Sequence, residues 1–166
     1  MNQHKVDPDF PNADTQDEQR QEINHFEQIV LTGAASKLAG TGKVLYEMAL
    51  HNEEKQLYFR IAGQEGGAGL HSKEWLSVTA MLELIEAQKD KPWKSQLYKQ
   101  LFNGGSANNH SFCTVIIRDL GLASKTDSSR YLHVLSTDFE DKKSALLALA
   151  KSCLLYTSDA ADDVAS

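Results

Sequence analysis

An α+β fold is what this sequence predicts, and three observations carry the prediction. Residues 43–62 alternate apolar and polar side chains in two runs around a polar turn. Residues 73–120 carry apolar stripes at helical spacing, broken by Pro92 and by Asn103-Gly104-Gly105. Residues 122–136 return to β-forming side chains. With 166 residues, 41% apolar and 24% charged, the chain suits one soluble domain of ordinary size with a small appendage.

Residues 1–15 are polar and acidic and contain Pro8 and Pro11, so a disordered arm is expected there. From Asp17 to Leu38 the spacing of Ile23, Phe26, Ile29, Val30 and Leu31 predicts a helix, ended by Gly40 and Gly42. The next run, Lys43 to Ala62, predicts a hairpin. Val44, Tyr46, Met48 and Leu50 share one face, Leu57, Phe59 and Ile61 share the next, and His51-Asn52-Glu53-Glu54 turns between them. The aromatic pair Tyr58 and Phe59, with Arg60, on that second strand are candidates for base stacking, weighed against a strand that simply buries Phe59 and exposes Arg60.

Beyond the glycines at 63, 66, 67 and 69, Ser72 is the expected N-cap of a helix whose stripe is Trp75, Val78, Leu82 and Ile85. Pro92 opens a second helix with Trp93, Leu97 and Leu101 on its apolar side. Ser106 or Asn108 caps a third, with Phe112, Ile116 and Leu120 buried and Gly121 at its end. Two strands, Leu122–Lys125 and Arg130–Ser136, flank a Thr126-Asp127-Ser128-Ser129 turn, and Phe139 to Ser152 forms a closing helix. The organisation is thus an arm (1–15), a helix plus hairpin (16–70), and three helices, a ribbon and a closing helix (71–152).

The tail Cys153–Ser166, CLLYTSDAADDVAS, resembles the in-frame translation of a sequencing-library adapter and is set aside from fold reasoning. The natural protein is expected to continue past about Ser152. Cys113 is then the one genuine cysteine, expected to be buried and inert, and no disulfide framework exists. No run is long and apolar enough for a membrane span and no secretory signal is evident, so a cytoplasmic setting is the default.

Motifs for other chemistry fail on their residues. Ala39-Gly40-Thr41-Gly42-Lys43 ends like a phosphate loop, but Lys37 stands where its first glycine belongs and Val44 where a magnesium-binding hydroxyl belongs. The six histidines have no helical pairing and no cysteine partners at metal spacing, so neither a metal nor another cofactor is expected. No nucleophile–base–orienter set accompanies His110 and Ser111, which argues against an enzyme.

Charge is uneven. The chain carries net −6, yet residues 89–137 hold seven basic side chains against three acidic ones. Screening over about 8–10 Å lets such a segment meet phosphates despite the acidic remainder.

Three helices followed by a ribbon is the element order of a winged helix-turn-helix, here preceded by a helix and a β-hairpin. The segment RDLGLASKTDSSRYLHVLS resembles the helix end, wing and final strand of winged-helix regulators, MarR-type proteins in particular, over residues 73–137. It departs from them at the wing tip, where Asp127-Ser128-Ser129-Arg130 holds a single arginine. The resemblance implies double-stranded DNA binding, as a transcriptional regulator or a replication or maintenance factor of a mobile element, with a homodimer allowed for reading paired half-sites. It further implies base contacts from Asn108, Asn109, His110, Thr114 and Arg118, and phosphate contacts from Lys94, Lys99, Lys125 and Arg130. The rival expectation is a winged helix used for protein–protein contact within a longer, truncated protein.

Overall fold

A computed structural model describes residues 23–67 and 69–165. The architecture is mixed α+β. An antiparallel sheet in the order β1-β2-β3-β4 is formed by Gln28–Ser36, Lys43–Leu50, Leu57–Glu65 and Leu76–Ser77. Then follow α1 (Val78–Glu86), a 3-10 helix (Ser95–Leu101), α2 (Ala107–Asp119), a ribbon of β5 (Ala123–Lys125) and β6 (His133–Leu135), and α3 (Phe139–Ala165). Among the described residues no helix is long and apolar enough to cross a membrane. The arm at 1–15 and the first turn of the helix expected from Asp17 lie outside the described residues.

The hairpin forms as its alternation predicts. Leu50 pairs with Leu57 and Met48 with Phe59, while Val44, Tyr46, Met48, Phe59 and Ile61 are buried. The segment before it corrects the expected helix: from Gln28 it is an edge strand paired to β2. A bulge between Ile29 and Leu31 places Val30 and Leu31 together at the core and so erases the period-two pattern. Gly33 lies opposite Tyr46, whose ring crosses it so closely that a Cβ at 33 would fall 2.4 Å from that ring. This passage lets the Tyr46 hydroxyl reach across β1 and donate to Asp119 Oδ2 on α2 at 2.6 Å.

The first predicted helix starts later than expected. Ser77, not Ser72, is its N-cap, with its Oγ accepting from the Ala80 amide at 3.1 Å. Leu76 and Ser77 are held extended by pairing with Phe59 and Tyr58. The Ser72 hydroxyl instead donates to the Glu74 carboxylate at 2.7 Å, and its amide donates to Asn109 Oδ1 at 2.8 Å. Trp75 therefore leaves the helical stripe and stacks on Phe26, with ring centroids 4.5 Å apart, while the Arg60 guanidinium lies 4.4 Å from the Trp75 ring centroid. Val78, Met81, Leu82 and Ile85 form the buried side of α1.

The second expected helix is a 3-10 turn sequence that begins after Pro92. Trp93 stays extended because its amide donates to the His133 carbonyl at 2.9 Å and the His133 amide returns a bond at 2.8 Å. The third forms as expected, capped by Ser106 and followed by Gly121 at φ +81°, a conformation glycine adopts without strain. The ribbon strands are shorter than predicted, and the closing helix runs on to Ala165. One apolar core, from Ala35 on β1 to Leu146 on α3, draws on both the hairpin and the helical segment. Helix α2 contributes many of its side chains to this core and packs against β1, β2 and the 3-10 helix.

Candidate nucleic-acid interface

The packing of α2 decides the fate of the residues expected to read bases. Asn109 is 2% exposed and Thr114 1%. Asn109 accepts from the Ser72 amide and donates to the Gly104 carbonyl at 3.4 Å. The Thr114 hydroxyl donates back to the His110 carbonyl at 3.0 Å, a common resting place for threonine inside a helix. His110 is also buried, at the rim of a separate recess that it shares with Lys99 and the Gly104-Gly105 turn. Burial, and then the positive charge of Lys99, hold its pKa below the ordinary value.

Asn108 is half-buried and donates to the Leu70 carbonyl at 2.9 Å. The expectation that Asn109, His110 and Thr114 face a DNA groove is therefore corrected. Helix α2 packs against β1, β2 and the 3-10 helix, and its residues from Asn109 to Ile117, Ser111 apart, are buried. An amide held by two intramolecular partners in the interior cannot reach a base edge.

The N-terminal side of this helix is fastened by Glu74. Its carboxylate accepts from the amides of Asn103 at 2.9 Å and Gly104 at 3.2 Å, besides the Ser72 hydroxyl. Burial pushes the Glu74 carboxyl up, but these three donors outweigh it and hold the group below its ordinary value.

The opposite end of α2 differs. Arg118, on its last turn, lines an open cavity of about 440 Å³ together with Lys125 of β5 and Arg130 of the ribbon loop. Lys37, just past β1, completes the wall. Four cations from separate segments thus converge on one cleft. The single carboxylate lining it, Asp119, accepts the Tyr46 hydroxyl bond.

The Lys37 ammonium donates to Gln64 Oε1 at 2.9 Å and sits 5.4 Å from the Phe112 ring centroid. Arg118 makes a long 3.5 Å contact to the Arg130 carbonyl, and the Arg130 guanidinium lies 5.1 Å from the Tyr131 ring centroid. Lys125 is exposed and has no partner among the described residues. The loop is shaped by Thr126, whose hydroxyl accepts from the Ser129 amide at 3.1 Å, and whose amide donates to the Leu132 carbonyl at 3.0 Å.

Of the expected phosphate-contacting residues, Lys125 and Arg130 meet in this cleft, joined by Arg118, which was expected to touch bases. Lys94 and Lys99 lie elsewhere, the first ahead of the 3-10 helix and the second beside His110. Lys37 was missed by sequence reasoning, which weighed it only as a misfit in a phosphate-loop pattern. Its separation from the basic 89–137 stretch gave no sign that β1 would carry it there.

Behind the cleft, His133 on β6 is fully buried, and neither ring nitrogen has a hydrogen-bond partner among the described residues. Burial, and then the nearby Arg118 charge, bring its pKa down to about 4, so the ring is neutral at pH 7. Cys113 is buried and free, and burial pushes its thiol well up, as expected for an inert cysteine. On the hairpin, Phe59 is buried, the Tyr58 hydroxyl donates to Glu54, and Arg60 bonds Glu47 Oε1 at 2.7 Å, which commits these side chains to the protein's own packing. No family model, curated protein or solved structure matches this chain.

Proposed function

We propose that this protein binds double-stranded DNA through its backbone phosphates, at the cleft between the β5–β6 ribbon and the C-terminal end of α2. The observation that carries the reading is the convergence of Lys37, Arg118, Lys125 and Arg130 on one open cavity whose only carboxylate is already engaged. Cations so arranged release condensed counterions when they meet phosphates, which favours binding irrespective of sequence. The order of elements supports the same reading. A helix, a single bridging residue at Trp93, a 3-10 helix, a further helix and two strands, with Trp93 bridged to His133, is an order compatible with a winged helix. Base reading by the middle of α2 forms no part of the proposal.

Fluorescence anisotropy of a labelled duplex titrated at several salt concentrations tests it. Four phosphate contacts predict a slope of about −3 to −4 in log affinity against log salt. Lys125→Glu weakens binding, whereas Lys94→Glu, outside the cleft, leaves affinity within about twofold. A flat salt response that Lys125→Glu does not change would favour the second reading, a protein–protein contact module. That reading draws its support from the net charge of −6.

A further inference from the structure

We infer that the cleft continues into a seat for one unpaired nucleobase, so that the preferred ligand is DNA with a single-stranded end or gap. The inference rests on the phosphate cleft proposed above and specifies what lies beside it. A recess of about 250 Å³ adjoins the cleft and shares Lys37, Leu38 and Val115 with it. Phe112 and Tyr131 add aromatic walls, and Ser95 and Ser111 contribute hydroxyls that have no hydrogen-bond partner among the described residues.

The chemistry matches one nucleotide in two parts. Arg130 lines the cationic cleft, and the next residue, Tyr131, lines the apolar recess. A nucleotide likewise joins an anionic phosphate to a flat, largely apolar base through one sugar. Tyr131 is 49% exposed, unlike the buried aromatic side chains of Trp93 and Tyr98. The Arg130 guanidinium lies 5.1 Å from the Tyr131 ring centroid, too close to admit a base between the two, so a base stacks on the part of the ring that Arg130 leaves exposed. The two serines stand where polar base edges would enter. A base inside a duplex has both faces covered by its stacking neighbours and cannot reach a side recess, whereas an unpaired base can.

Two labelled duplexes distinguish this from plain backbone binding, one blunt and one carrying a short overhang that contains 2-aminopurine. Stacking predicts that the overhang duplex binds about tenfold tighter than the blunt one and that 2-aminopurine fluorescence is quenched on binding. Tyr131→Ala removes both the preference and the quench while leaving blunt-duplex affinity within about twofold; Tyr131→Phe retains both. Because Tyr131 is exposed, circular dichroism of the alanine variant is expected to match the wild type. Equal affinity for the two duplexes with no quench would overturn the inference and leave the backbone reading standing. Failure of the wild type to bind either duplex would overturn both. Displacement of the overhang by micromolar deoxyadenosine monophosphate would assign the recess to a soluble nucleotide and overturn the strand.

Discussion

The two ends of α2 solve opposite problems with polar side chains. Over its N-terminal end and middle, Asn109 and Thr114 are buried and their polar atoms are occupied by Ser72, Gly104 and the helix's own His110 carbonyl. At its C-terminal end, Arg118 faces a cavity beside Lys37, Lys125 and Arg130, with far fewer internal acceptors than these groups have donors. The first end holds the fold together; the second leaves charge available to a ligand. A polar residue on an amphipathic helix is thus no guide to a binding face until its partners are known.

The largest effect expected from perturbing this contrast involves His133, the buried polar group behind the cleft whose ring nitrogens have no partner among the described residues. Its pKa is lowered from 6.5 to about 4 in the folded protein, so the unfolded chain accepts a proton that the folded state refuses. This group's contribution is fully present above pH 6.5, is lost as pH falls from there to about 4, and changes no further below that. The loss amounts to about 3 kcal/mol. Urea unfolding across this window should show the slope in the wild type and a shallower one in His133→Phe. An unchanged slope in the variant would show that His133 is not the group responsible.

Next in size is the cleft itself. Lys125→Glu combined with Arg130→Glu should lower duplex affinity by roughly one to two orders of magnitude and reduce the salt slope. Its unfolding free energy should stay within about 0.5 kcal/mol of the wild type, because both side chains are exposed. The inner end should show the reverse pattern. Asn109→Ala leaves the Ser72 amide without its acceptor and should cost about 1–3 kcal/mol of stability, with duplex affinity unchanged for the folded fraction. A large loss of DNA affinity in Asn109→Ala at equal foldedness would restore that residue to the interface.

Tyr46 fastens the C-terminal end of α2. Its hydroxyl bond to Asp119 ties β2 to α2 and occupies the cleft's one carboxylate. Burial, then the bond and charge of Asp119, raise the Tyr46 pKa well above its ordinary value, so it remains a donor throughout the physiological range. Gly33 makes that reach possible, since any side chain there would meet the tyrosine ring.

Local chemistry alone determined much of this protein. Strict alternation wrote the hairpin, Ser106 and Gly121 marked the ends of α2, and the β-formers after Leu122 announced the ribbon. Each of these signals acts within a few residues of itself. Only tertiary structure decided the rest. A bulge hid β1 from its own periodicity, and pairing with β3 delayed α1 to Ser77. Asn109 was turned inward by an amide at Ser72, and Lys37 was carried to Arg118 by the strand that precedes it. The physical reason is common to all four. Backbone pairing and buried hydrogen bonds are satisfied by whichever group lies near in space, and the spacing of side chains along one element does not reveal which group that will be.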